Sequence, residues 1–305
     1  MAPFSWLGFP SITDAKNPAH LKTLESLGIP YVIDIHTHFF PEHVMKLIWR
    51  WFDSVHWAIA YRTNDKERVK SLHHNGVKCF TTLNYAHKPG MAEGLNDWVF
   101  QNYKNWDGAI PFGTFYPEDG VLEYVQRAVE EYKFIGFKLH CEVSKLDLND
   151  PRLRGTFLYL EEKGIPIVIH TGTAPLPGEF TGIDFFRPFM ERFPKLHVIV
   201  AHMGAAEILE YAELLSQYPN LTLDTTMVFV DFLATGTEKE VERAVPLLDQ
   251  FADQIYFGSD FPNIPYNLAH PIERLLALPI TDSSKRKILY ENAQKLLARA
   301  GHNFF

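Results

Sequence analysis

The sequence predicts an α/β fold, and within that class a closed (β/α)8 TIM barrel with a helical insertion after strand 1. Two observations predict it. Short β-rich apolar runs alternate with longer stretches of helical periodicity eight times along the 305 residues. Ligand-type polar residues come directly after several of these runs, at their C-terminal ends. Strand-then-helix repeats imply parallel strands joined by right-handed crossovers. Eight such units suit a closed barrel better than a doubly wound open sheet, which is the alternative architecture. No Pro/Ser/Gly-rich linker, low-complexity tract or internal repeat divides the chain, so one domain spanning 1–305 is expected.

In order, the expected strands are 31–36, 77–84, 109–115, 134–140, 165–170, 196–201, 221–225 and 255–258. The expected helices are 43–52, 65–75, 91–105, 121–132, 152–163, 183–193, 204–217, 238–250, 268–277 and 283–299. The fourth of these places Val121, Leu122, Val125, Ala128 and Val129 on one stripe. Gly164 stands where a helix would end in a left-handed cap. Asn149 and Asp150 before Pro151 read as a helix start. The longest departure from the repeat is residues 39–76, rich in aromatic residues: Trp49, Trp51, Phe52, Trp57 and Tyr61. On a barrel, a loop after strand one lies over the C-terminal mouth. There it would serve as a lid or wall for an apolar or aromatic substrate, as a small cap on its own barrel, or as a contact between two copies of the chain.

Composition narrows the function. Twenty-nine Lys and Arg against 37 Asp and Glu give a net charge of −8, which speaks against a nucleic-acid or anionic-membrane surface. Cys79 and Cys141 are the two cysteines, too few for a disulfide framework and in keeping with a reducing cytoplasm. The N-terminal residues lack a basic stretch followed by an apolar core of signal-peptide length, and no apolar run approaches a membrane span. A soluble, cytoplasmic protein acting on a small molecule is expected.

The chemistry concentrates at strand ends. Alternation in YVIDIHTHFF puts Asp34, His36 and His38 on one face. Strand five ends at His170, strand six at His202 and strand eight at Asp260. In a barrel these ends converge on one mouth, and imidazoles with a carboxylate suit Zn²⁺ or a similar divalent ion. Strand four, FIGFKLHC, sets Gly136, Lys138 and His140 on one face and Phe137, Leu139 and Cys141 on the other. A lysine within an apolar strand is costly to desolvate, and near a cation its neutral amine is favoured. Lys138 has three readings: a carbamate bridging two metals, an ion pair with Glu142 or Asp260, or a contact to substrate. Tyr85, His87, Lys88, Tyr116, Glu118 and Thr173, at other strand ends, are further candidates for reading substrate, with Arg62 a conceivable carboxylate anchor.

The order HTH, Lys on strand four, His on strands five and six, and Asp on strand eight resembles the amidohydrolase superfamily. GFKLHCEVSKLDLNDPRL, IPIVIHTG, VIVAHMG and FGSDFP are similar to the branch that holds aminocarboxymuconate-semialdehyde decarboxylase and the family-2 amidohydrolases. The resemblance runs from about residue 31 to residue 298. Many members have proline after the KLH triplet, where this chain has Cys141. The resemblance implies that His36, His38 and Asp260 bind a metal, with His170 completing a mononuclear site or joining His202 around a second ion. One ion, Zn, is expected over two, and a homodimer is implied.

A divalent ion with an open position would lower the pKa of its water from about 15.7 to about 7. Asp260 would take and return the proton, and His202 would steady the developing oxyanion. The expected reaction is hydrolysis of an amide, ester or lactone. The alternatives are non-oxidative decarboxylation of an unsaturated or aromatic acid, and a non-catalytic metal-binding barrel. No GxSxG, GxxxxGK[ST] or GxGxxG motif occurs, which removes serine-hydrolase, P-loop and dinucleotide readings.

Overall fold

The structure is a computed structural model that describes residues 18–231 and 238–299. The reading of the N-terminal segment lies almost wholly on residues 1–17, outside the described residues.

Each expected strand is present. β1 (Val32–Asp34), β2 (Val77–Thr81), β3 (Ala109–Ile110), β4 (Phe112–Thr114), β5 (Gly136–His140), β6 (Ile167–His170), β7 (Val198–Val200), β8 (Leu221–Asp224) and β9 (Ile255–Tyr256) pair in parallel, each with the next. One pairing is missing from that run: β3 and β4 are the two halves of the expected strand 109–115, divided at Pro111. Proline has no N–H to give the ladder. Here the stave changes partners, β3 pairing with β2 and β4 with β5. The Phe112 N–H donates instead to the Thr82 hydroxyl at 3.2 Å. At the other seam, the Ile35 N–H donates to the Phe257 carbonyl at 3.1 Å and the Asp260 N–H to the His36 carbonyl at 2.8 Å, which closes the ring of staves.

Alternation along the staves sorts the core. Phe137, Leu139 and Cys141 of stave four pack outward with Phe157 and Phe189 of the surrounding helices. Ile33, Cys79, Val168 and Ile199 share a cluster with Ala293, Leu296 and Leu297 of the last helix, so that helix covers the end of the barrel away from the strand ends. Gly164 does cap its helix at φ +66°, and the Asp150 carboxylate does accept the Arg152 N–H beside Pro151. The helix expected over 204–217 starts later, as Ile208–Leu215. Residues 201–204 turn tightly instead, with His202 and Met203 at φ +56° and +52°. The helix His20–Ser26, absent from the sequence expectations, packs on the helix Ala269–Ala277.

Within the 39–76 insertion, the helix Glu42–Ser54 buries Val44, Met45 and Ile48 with Phe40, against Tyr85 and Leu95. Trp57 Nε1 donates to the Asn263 carbonyl at 2.9 Å. The insertion therefore braces the loops that follow β2 and β9. Among the described residues, no helix is long and apolar enough to cross a membrane.

Candidate metal centre

His36, His38 and Asp260 each place one ligand atom within 4.8 Å of the others. Their mutual position is set by hydrogen bonds from behind. His36 Nδ1 lies 2.8 Å from Asp224 Oδ2, and His38 Nδ1 lies 3.3 Å from the Leu83 carbonyl. Carboxylate and carbonyl oxygens accept, so His36 donates from Nδ1 and carries its lone pair on Nε2, while His38 has an acceptor at each nitrogen, the Leu83 carbonyl at Nδ1 and the Asp260 carboxylate at Nε2. Both Nε2 atoms face the same oxygen, Asp260 Oδ1, at 3.4 Å and 2.8 Å. Two imidazole nitrogens and an anionic oxygen converge on one point, an arrangement that a divalent cation satisfies. Carboxylate support behind a ligating histidine is itself a common feature of metal sites.

Glycine makes this approach possible. A Cβ on Gly258 would meet Thr226 Oγ1 at 2.2 Å and His36 Cβ at 2.7 Å.

The other two predicted histidines stand close by without joining the three-ligand cluster. His202 Nδ1 is 3.1 Å from the Thr226 carbonyl, and His170 Nε2 is 3.1 Å from the Ala174 carbonyl. Burial, first of all, holds the His202 imidazole well below its ordinary pKa and brings His170 to about 4, with Lys138 and neighbouring imidazoles adding to the effect. Both rings are therefore neutral near pH 7. His202 keeps its proton on Nδ1 and a lone pair on Nε2, so it can ligate or accept a proton. In this tautomer Nε2 has no proton to give, so steadying an oxyanion or orienting a carbonyl, the roles expected from sequence, would require Nδ1 to release the Thr226 carbonyl.

The rings form a circuit. Centroid separations are 5.1 Å from His38 to His36, 5.1 Å on to His202, 4.6 Å to His170, 4.0 Å to His140, 5.0 Å to Tyr85 and 5.6 Å back to His38. Lys138 belongs to the same inward face as His140, one pleat deeper in β5. It is 1% exposed, and among the described residues its Nζ has no hydrogen-bond partner. Burial lowers its pKa to about 8, against the pull of Asp224 and Asp260. The expected ion pair with Glu142 is not formed, because Glu142 pairs with Lys145. Asp260, the other suggested partner, is engaged by the two histidines.

Two carboxylates matter more than the sequence reading allowed. Asp224 was overlooked. It accepts from His36, from the His202 N–H at 2.9 Å and from the Thr226 N–H at 3.1 Å. It ends the run LTLD as Asp260 follows YFGS, so the strand-end rule applied to it equally. Asp34, expected to share a face with the histidines, is fully buried, and its Oδ1 accepts the His36 and Ser259 N–H groups. β1 ends there, so the alternation does not carry on to His38. Arg62 is held by Asp53, and Glu118 accepts from Tyr124.

This arrangement can be set beside known proteins. The family profile described as Amidohydrolase matches residues 33–299, a span that holds every residue of the cluster. The chain belongs to the amidohydrolase family. Its members bind divalent metals and include both hydrolases and decarboxylases. Among solved structures, an uncharacterized TIM-barrel protein of Bordetella bronchiseptica is similar at 21% identity and TM-score 0.69, covering 89% of this chain and 100% of that one. A 5-carboxyvanillate decarboxylase of Novosphingobium aromaticivorans, solved with bound manganese, is similar at 15% identity and TM-score 0.61, covering 89% and 98%. A dihydroorotase of Saccharomyces cerevisiae is similar at 12% identity and TM-score 0.60, covering 90% and 85%. These likenesses show the barrel fold. No curated protein sequence matches the chain.

Proposed function

We propose that this amidohydrolase family member is a metal-dependent hydrolase that opens an amide, ester or lactone carbonyl of a small molecule. The observation that carries the reading is the convergence of His36 Nε2, His38 Nε2 and Asp260 Oδ1 on one point at the barrel mouth. These three residues would hold a divalent ion, with His202 Nε2 or His170 Nδ1 able to complete its shell. One ion per chain is proposed, with Zn suited to the nitrogen-rich donors. When bound, such an ion supplies Lewis acidity to a carbonyl and acidifies water.

The chain's own groups do the rest. Asp260, 15% exposed at its side chain, faces the mouth and can accept a proton from the attacking water. The same carboxyl then delivers it to the departing nitrogen or oxygen. Asp224 and the Leu83 carbonyl keep the two ligating rings in one tautomer throughout.

A second reading, decarboxylation of an unsaturated or aromatic acid, is supported by the planar faces of Tyr85 and His140 beside the cluster. A panel of esters, lactones, amides and aromatic acids, followed by acid release and by CO₂ release, separates the two. Acid release with no CO₂ upholds hydrolysis, and CO₂ release alone replaces it.

We also propose one cytoplasmic domain that forms a homodimer. On the outer side of the insertion, Leu47 is 57% exposed, Trp51 50% and Val55 47%, spaced four residues apart. That apolar stripe supports a contact between copies.

A further inference from the structure

We infer that Lys138 is the receptor for an anionic group of the substrate, a carboxylate carried next to the bond that reacts. The inference rests on the mouth being the reaction site, and not on which bond is broken there.

The argument begins with what Lys138 lacks. Its side chain is 1% exposed, and among the described residues Nζ has neither a hydrogen bond nor an ion pair. An ammonium left this way costs several kcal/mol, and a chain that needed only an apolar stave could place leucine there. The neighbouring acceptors are already engaged. Asp224 gives one oxygen to His36 and the other to two backbone N–H groups. Asp260 Oδ1 faces His36 and His38.

Among the described residues no acceptor lies within hydrogen-bond reach of Nζ, so its acceptor comes with a ligand. A carboxylate fits the remaining requirement: its negative charge offsets the nearby cation and restores the ammonium form of Lys138, and a single ammonium without arginine or a nest of backbone N–H groups matches one negative charge better than two. The same substrate presents its π system or alkyl body to Tyr85 and His140 on the way in. Lys138 thereby selects acidic substrates and orients them, while the ligand cluster acts on the adjacent carbon.

The test measures binding without turnover. Benzoate and its neutral counterpart benzamide are titrated calorimetrically into the metal-reconstituted chain and into Lys138→Met. The expected result is tighter binding of benzoate than benzamide by the wild type. Lys138→Met should weaken benzoate roughly 30-fold or more, with benzamide little changed. Benzoate affinity that survives Lys138→Met would show that the ion alone receives the carboxylate, and would overturn the proposal. If the variant does not fold, equal affinity of the wild type for benzoate and benzamide overturns it as well. The product assay of the wild type decides hydrolysis against decarboxylation separately, so the two readings fail on different data.

Discussion

His36 donates from Nδ1 to Asp224 Oδ2 over 2.8 Å, across 188 positions of chain. That bond leaves Nε2 as the only basic atom His36 can offer the mouth, and the donor is fixed before any ligand arrives.

Asp224→Asn should therefore weaken metal binding without removing a ligand. An amide can present its NH₂ to His36 and favour the wrong tautomer. Affinity is expected to fall about 10- to 100-fold, read by competition with a coloured chelator. Unchanged affinity would mean that Asp224 serves the backbone turns at His202 and Thr226 and little else.

The proposed function gives Asp260 two duties, ligand and proton carrier. Asp260→Asn is expected to lower kcat by about 10² or more even where metal content persists, measured on the best substrate of the panel beside elemental analysis. Near-normal turnover with metal bound would move the proton-transfer role to another residue.

Metal removal gives a third check. Protein purified without chelator is expected to hold about one ion per chain, and the His36→Ala/His38→Ala pair to hold none. Dialysis against chelator should abolish activity, and added Zn²⁺ or Mn²⁺ should restore it. Two ions per chain would revive the carbamate reading of Lys138.

Acid sensitivity follows from the buried imidazoles. His36, His140 and His202 are held well below 6.5 and His170 at about 4, by burial above all. Below pH 6.5 the unfolded chain protonates these four while the folded chain does not, so stability falls as pH drops toward 4. Asp34 acts in the opposite sense. Burial pushes its carboxyl up to about 7, so below that pH the folded state holds the extra proton, and this stabilisation fades as pH rises through 7. Among the buried groups of the site the histidines outnumber Asp34, so the chelated protein loses stability on acidification. Urea midpoints of the chelated protein at pH 5 and pH 7 check it; equal midpoints would contradict it.

Gly258→Ala probes the packing behind the site. Its Cβ would strike His36 and Thr226, a clash expected to cost about 1–3 kcal/mol and to lower metal occupancy. Thermal unfolding with and without Zn²⁺ measures both.

The sequence made most of this barrel readable, because apolar runs and helical stripes repeat with little interruption. Pro111 was visible too, but one sequence does not say that a proline will move a stave's hydrogen bonds from one neighbour to the next. His36, His38 and Asp260 were legible as a candidate ligand group because each follows an apolar run, and the fold does bring them together. Asp224 obeys the same rule at the end of LTLD, but it accepts from His36 and two backbone N–H groups behind the cluster, a supporting place that a strand-end position alone does not reveal. The proton positions on His170 and His202 were beyond reach, because they depend on the carbonyls of Ala174 and Thr226, which only the folded loops bring near.

Closure of the barrel between its first and last staves has a consequence in time. His38 and Asp260 are 222 positions apart, so at common rates of synthesis roughly 10 to 45 s separate their appearance from the ribosome. Throughout that interval the histidines lack Asp260, the carboxylate with which they would share an ion. Whatever free energy the ion contributes is released only on the final closing step, after nearly all of the chain has been made. Scarcity of metal would then be felt first by newly made molecules, and much later by finished ones.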